Sequence, residues 1–429
     1  MSNDPDSFVN KPLGRRQFIN KGLAFVAGAG LAFASPSFVR AAFNEEDRNN
    51  RHSNVLVVLQ LGGGNDGLNT VIPYEEGDYH DARKQLGLYS DDLHLIDGRI
   101  ALHPALTGIK TLYDSGDVSI VEGVGYPDPN RSHFRSMDIW HTGSTNADVD
   151  TGWLGRMLDV TSYEANASWR AVDVGKRQSR ALSGSQSFVP AIDSVPSYVF
   201  QHDKARSRLS DTRLQDWLQL QSAQSSCGAQ QAAYGGQLAF LSDTGINAYQ
   251  STIELQSAAS DYQPLVEDPD TPVASALKTC SELINSNLGT GVCYVTTGGF
   301  DTHGQQLHQH TNLLNGLSEA VLAFQKDLRA HGMDRRVTTM IWSEFGRRFS
   351  ENGSGGTDHG TSSSVFLIGK RVSGGIQGEP PSFKTLDERG DLRHTIDFRR
   401  IYSTLLEDLF LVEPKDILDD HYQTLPLFT

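Results

Sequence analysis

The stretch NVLVVLQLGGGND (residues 54–66) decides how this chain folds. Its first eight residues read as a buried β-strand, a mostly apolar run of Val and Leu. The triplet Gly62-Gly63-Gly64 then lets the backbone turn sharply and approach a bound group closely, and it delivers Asp66 just beyond the strand end. Open α/β sheets bind their ligands there. The same arrangement recurs at GVCYVTTGGFDTH (residues 291–303), where a strand pattern and two glycines lead to Asp301 and His303. A third motif, GTDHG (residues 356–360), sets Asp358 and His359 between glycines that permit a kinked chain. Carboxylates and imidazoles gathered from distant positions repel one another and cost much to desolvate, so a divalent cation is the natural reason to gather them. Asp66, Asp301, His303, Asp358 and His359 are therefore expected metal ligands.

Working outward, a helical pattern over residues 103–114 and the β-branched run VSIV (118–121) complete a strand, helix, strand unit. Residues 123–143, rich in turn formers with interleaved aromatics, read as a functional loop leading into a helix. From about residue 162 to 260 the composition shifts to Gln, Ser and Ala, with an amphipathic stretch over 213–220, which predicts an inserted helical subdomain or lid. The sheet pattern then resumes. A helix is expected over 271–287, strands over 292–296, 337–342 and 364–368, a long amphipathic helix over 305–330 and a closing helix over 398–409. Strands alternating with long helices indicate a mostly parallel sheet in an α/β fold. The chain thus divides into residues 42–161 and 261–429 of one α/β domain, separated by the insertion at 162–260.

The first 41 residues are set apart. Arg15-Arg16-Gln17-Phe18-Ile19, an apolar Gly/Ala-rich run over 22–34 and Val39-Arg40-Ala41 resemble a twin-arginine signal peptide. The apolar run falls short of the about 20 residues a membrane span needs, so no stable span is expected in the mature form. The expected partner at this end is the twin-arginine translocation machinery, and the expected compartment is periplasmic or extracellular. Without these residues the formal charge moves from −15 to −18, because five basic and two acidic residues leave with them. Nucleic acid is an unsuitable partner for such a surface. The three cysteines, Cys227, Cys280 and Cys293, allow one disulfide without assigning it.

Other residues carry two readings each. Glu344, in SEFGRR, follows a strand and is either a metal ligand or the ion-pair partner of Arg347 or Arg348. Arg347 is alternatively a bidentate ligand for phosphate or sulfate oxygens. Asn130, Arg131, Ser132 and His133 combine a hydroxyl with anion-binding groups, and a nearby cation would activate Ser132 as a nucleophile. His141, His308, His310 and His394 are further ligand candidates, each taken singly better read as an ordinary surface or helix-facing histidine. Tyr126, Phe134 and Trp140 are either pocket aromatics or core.

The motifs LGGGNDGLNT, NRSHFRSMDIWHTG, TGWLGR, GGFDTHGQQ, SEFGRR and GTDHG together resemble the bacterial family called domain of unknown function 1501. In motif order that family is similar to the alkaline phosphatase and sulfatase superfamily. The resemblance implies a three-layer α/β/α sandwich with a metal centre of one or two ions, zinc, manganese or calcium, at the carboxyl ends of the strands. Asp66 would be the first-strand ligand, Ser132 would stand at the nucleophile position, and Asp358-His359 and Asp301 with His303 would match the later ligand pairs. A final histidine is also implied, for which His394 is the candidate. One departure stands out, since a single residue separates Asp301 from His303 where the superfamily has three. The expected function is that of an exported metal-dependent hydrolase acting on a phosphate or sulfate ester, with Arg131 or Arg347 steadying the transferred group. The alternative is a non-catalytic exported envelope or polysaccharide-binding protein with a structural metal.

Overall fold

The computed structural model of the chain describes residues 54–89, 92–161, 169–198, 252–258, 262–286 and 288–429. The expected signal peptide, Cys227 and the amphipathic stretch over 213–220 lie outside these residues. The stretch that opens the chain's reading forms β1 (Val55–Leu61), with all seven residues buried. Its alternate side chains supply two separate cores. Val55, Val57, Leu59 and Leu61 join one cluster, while Leu56 and Val58 join the other. A strand buried on both faces has to be covered by helices on both sides, and this is the physical content of a three-layer sandwich.

The strands that follow are β2 (Val71–Ile72), β3 (His94–Leu95), β4 (Ala101–Leu102), β5 (Val118–Gly125), β6 (Ala171–Val174), β7 (Ala191–Ile192), β8 (Val292–Thr297), β9 (Val337–Trp342), β10 (Ser363–Ile368), β11 (Gly375–Gln377) and β12 (Ile396–Asp397). Nine of them form one sheet in the order β11-β5-β10-β9-β1-β8-β6-β7, with β12 also paired to β5; β2, β4 and β3 form a small second sheet. β1 runs parallel to both of its neighbours, β8 and β9. Among the described strands of this sheet only β10 is reversed, antiparallel to β5 and to β9. The start of β10 therefore lies at the same edge as the ends of β5, β1, β8 and β9.

The longer helices are α1 (Thr107–Asp114), α2 (His133–Thr142), α3 (Trp153–Thr161), α4 (Pro272–Asn285), α5 (Gln306–Ala330) and α6 (Phe398–Thr404). α1, α4 and α5 cover the first core, and α2, α3 and α6 the second. Local chemistry sets their ends. Thr271 caps α4 by accepting from Ala274 N, ahead of Pro272 at the first position. Gly143 closes α2 in the left-handed conformation at φ 67°.

The expected elements are found with ends shifted by a few residues, and the fold is the expected α/β/α sandwich around a mostly parallel sheet. One correction concerns residues 162–260. Where described, 169–198 holds β6 and β7, which extend the main sheet through parallel pairing of β6 with β8. The run AVDV is four residues long, too short to stand out against the surrounding composition. Residues 252–258 are helical, and 199–251 lie outside the description. No helix among the described residues is long and apolar enough to cross a membrane.

Three histidines sit within this framework in their neutral form. His103 and His310 are buried, with ring centroids 5.9 Å apart, and His310 Nε2 lies 2.8 Å from Asn65 Oδ1. The partly buried His141 places Nε2 2.9 Å from Gln60 Oε1. Burial pushes all three down to about 4. An unfolded chain protonates such rings near pH 6.5, so it binds more protons than the folded one between pH 6.5 and 4. Stability should be complete above pH 6.5 and fall progressively towards pH 4, by up to about 3 kcal/mol per ring. Urea unfolding across this range checks it, and His141→Gln should make the decline shallower by about one proton's worth, roughly 1.4 kcal/mol per pH unit.

Candidate metal centre

The strand ends converge on one edge of the sheet, and the loops leaving them are stitched together. Arg347, five residues past the end of β9, lies with its side chain fully buried. Its guanidinium donates to Gly64 O (2.6 Å), Gly63 O (2.5 Å), Thr357 O (2.8 Å), Phe300 O (3.0 Å) and Asp301 Oδ1 (2.6 Å). Gly63 and Gly64 allow the approach. At φ +122° and +72°, an added Cβ would lie 2.4 Å from Asp301 N and 2.2 Å from the Phe345 ring. Gly63 N also donates to Glu344 Oε1 at 2.9 Å.

On this platform His133, Asp301 and His359 bring one ligand atom each to within 4.8 Å of the others, and His303 adjoins them. His133 opens α2, Asp301 and His303 follow β8, and His359 precedes the reversed β10. Each imidazole is anchored through Nδ1. His133 Nδ1 lies 2.8 Å from Glu344 Oε1, His303 Nδ1 2.9 Å from Asp358 Oδ1, and His359 Nδ1 2.8 Å from Arg131 O. Those acceptors assign the hydrogen to Nδ1, leaving a lone pair on each Nε2 of the neutral rings. All three Nε2 atoms face Asp301, at 3.4 Å from Oδ2 for His133 and 3.0 and 3.1 Å from Oδ1 for His303 and His359. The Nε2 atoms of His303 and His359 are 3.0 Å apart, and that of His133 is buried without a hydrogen-bond partner. Lone pairs facing lone pairs repel, and a cation among them reverses the sign. The residues therefore fit a divalent ion, with Glu344, Asp358 and the Arg131 carbonyl as the outer acceptors that orient histidine ligands in metal sites.

The charges agree with this division of labour. Burial works to raise the Asp301 carboxyl, but the hydrogen bond and charge of Arg347 hold it down at about 2. Glu344 is also lowered, because His133 and Gly63 N outweigh its burial. The bond to Glu344 raises His133, with burial opposing.

Several expected residues stand elsewhere. Asp66 is not among the converging ligands: Arg83 NH1 donates to its Oδ2 at 2.6 Å, with both side chains fully buried, and Gln306 Nε2 donates at 2.5 Å. Burial would raise its pKa, yet Arg83 lowers it, so Asp66 is an internal ion-pair partner. Glu344 and Asp358 sit one bond behind His133 and His303. Arg347 is sealed away from any substrate, which corrects its expected role on transferred oxygens. Arg131 pairs with Asp387 (2.6 Å) and Asp391 (2.5 Å) and serves the centre through its carbonyl. His394 lines a water-sized crevice behind Glu344 with Ser362 and Trp140 rather than facing Asp301. Tyr126 and Trp140 are core, while Phe134 is 86% exposed. Ser132 is an exposed N-cap of α2 whose side chain makes no capping bond.

The residue that sequence reading left out of the ligand set is His133. Its signal was its place directly after Ser132, where a loop from a strand end turns into a helix. If Glu344 orients it, Glu344→Gln should weaken zinc binding about 10–100-fold while leaving the fold intact. Calorimetric titration of zinc into the two proteins, with circular dichroism as the control for folding, checks this.

No curated protein matches the chain. Solved structures to which it is similar include the PsFucS1 sulfatase from Pseudoalteromonas sp., at 11% identity, covering 92% of this chain and 78% of that one with a TM-score of 0.38. The phosphonate monoester hydrolase of Agrobacterium radiobacter matches at 8% identity, over 86% and 78% of the two chains, with a TM-score of 0.38. A protein in the alkaline phosphatase superfamily from Vibrio parahaemolyticus matches at 8% identity, over 86% and 70%, with a TM-score of 0.34. The family model described as protein of unknown function (DUF1501) matches residues 119–411, more than half of the chain, and this protein belongs to that family.

Proposed function

We propose that this protein is an exported, metal-dependent hydrolase of phosphate or sulfate esters. One observation carries the reading: three histidines, each anchored through Nδ1, turn Nε2 towards the single carboxylate of Asp301 at the carboxyl edge of a mostly parallel sheet. A divalent cation held there by His133, Asp301 and His359, with His303 beside them, would supply Lewis acidity and lower the pKa of an adjacent hydroxyl.

Ser132 is the hydroxyl the chain offers. It immediately precedes the ligand His133, it is exposed, and its oxygen is free of the helix-capping bond that such serines commonly make. The first turn of α2 also presents backbone N–H groups suited to anionic oxygens. In the proposed reaction the Ser132 oxygen forms a bond to phosphorus or sulfur as the ester oxygen leaves and takes up a proton. Water then breaks the serine ester, releasing phosphate or sulfate and restoring the hydroxyl. Of the two arginines in SEFGRR, Arg348 takes the role expected of Arg347. Its side chain is 40% exposed, and its field helps hold Asp358 down, after the stronger effect of His303. Twin-arginine export of the folded chain belongs to the same proposal and rests on residues 1–41.

The commitment of Arg131 to Asp387 and Asp391 favours a second reading, a non-catalytic envelope or polysaccharide-binding protein whose ion is structural. One experiment separates the two. Phosphate mono- and diesters and sulfate esters are incubated with wild type and Ser132→Ala in the presence of zinc, manganese or calcium. Hydrolysis by wild type that falls at least about 10³-fold in Ser132→Ala is the expected result. Equal rates refute Ser132 as the nucleophile, and a bound ion without turnover of any ester supports the second reading.

A further inference from the structure

Asp66, Asp301, Glu344 and Asp358 all stand near one edge of the sheet, and a pair of ions bridged by carboxylates is one way to neutralise such a group. The positive charge is instead already in place. Asp66 is met by the guanidinium of Arg83 at 2.6 Å and the amide of Gln306 at 2.5 Å on Oδ2, and by Asn69 N at 3.3 Å on Oδ1. Arg83 is itself fixed by Phe349 O, Arg348 O and Asn69 Oδ1, at 2.9, 2.7 and 2.6 Å. Neither side chain of the Asp66–Arg83 pair is accessible to solvent.

On the other side, Arg347 touches Asp301 Oδ1 at 2.6 Å and is held by four backbone carbonyls, so its charge cannot swing away. A second divalent ion on Asp301 would face this fixed, buried cation across a few ångströms, where like charges repel. Among the described residues, the other carboxylates at this edge are already engaged. Glu344 takes His133 Nδ1 and Gly63 N on Oε1 and Ser343 Oγ on Oε2, and Asp358 takes His303 Nδ1 and Asn352 Nδ2 on Oδ1.

We propose that the centre holds one divalent cation, on His133, Asp301 and His359, and that Arg83 and Arg347 are built-in counter-charges standing where a second ion would otherwise be required. The proposal rests on the metal reading above and narrows it from one or two ions to one. It also removes Asp66 from the coordination sphere and makes Arg347 a positioning residue for Asp301.

The test is a count. The full chain is loaded with manganese, freed of excess by gel filtration and analysed for metal per polypeptide, alongside the double variant Asp66→Asn/Arg83→Gln, which replaces the buried ion pair by a neutral hydrogen-bonding one, and His359→Ala. One manganese per chain is expected in wild type and in the double variant, with the spectrum of an isolated ion in electron paramagnetic resonance. His359→Ala should retain less than about a tenth of an equivalent after the same filtration, since losing a ligand costs at least the roughly 10–100-fold in affinity that losing one of its outer partners does. Two ions with an exchange-coupled spectrum in wild type would overturn the proposal, as would loss of the ion from a double variant whose circular dichroism matches wild type. No ion in wild type would instead sink the metal reading itself, and this inference with it.

Discussion

One guanidinium holds the carboxyl edge of this sheet together. Arg347 reaches into the loop after β1 through Gly63 and Gly64, the loop after β8 through Phe300 and Asp301, and the loop before β10 through Thr357. Loops beyond strand ends are normally the most mobile parts of an α/β fold. Here their backbone carbonyls share a buried cation, and a buried charge must be fully paired or it costs several kcal/mol. The need to satisfy Arg347 therefore fixes the loops, and the loops fix the imidazoles. The two glycines at positive φ are the steric condition, because a side chain at either would collide with Asp301 N or the Phe345 ring.

The framework was readable from the amino-acid order because the signals are local. β1 and β9, with every residue buried, announce themselves as apolar runs, and the motifs after β1 and β8 are flagged by glycines. The convergence of Asp301, His303 and His359 was legible for the same reason: each stands within a few residues of a strand terminus. What escaped depends on three-dimensional pairing. Nothing near Asp66 in sequence says that Arg83, seventeen residues on, will neutralise it in the interior. Nothing near Glu344 says that its partner is His133, 211 positions earlier, rather than the adjacent arginines. His133 itself was hidden by being next to a serine, a neighbourhood that is common and uninformative. The edge strands β6 and β7 were hidden by length, since two to four residues cannot establish an alternation.

Histidine and arginine divide the work at this edge in a way their chemistry explains. An imidazole anchored by one nitrogen presents a directed lone pair with the other, which suits it to a ligand. A guanidinium offers only donors and keeps its charge at any working pH, which suits it to tying carbonyls and balancing carboxylates. The carboxylates accordingly fall into three positions: Asp301 amid the imidazoles, Glu344 and Asp358 behind them, and Asp66 withdrawn into the interior with Arg83.

The reversed direction of β10 carries a consequence for how the chain tolerates change. His133, after β5, and Asp301 and His303, after β8, are delivered by strands that run towards the edge, so their reach is limited by loop length alone. His359 comes the opposite way, four residues before Ser363, and its height above the sheet depends on where β10 locks against β5 and β9. Sliding β10 by two residues would keep every side chain on its proper face while carrying His359 about 7 Å along the strand axis. The pairing of β10 with β5 shifts register between Ser363 and Val365, next to the point of delivery. An irregularity of this kind resists sliding, because a displaced strand would have to carry its unmatched residue past a partner that has no room for it.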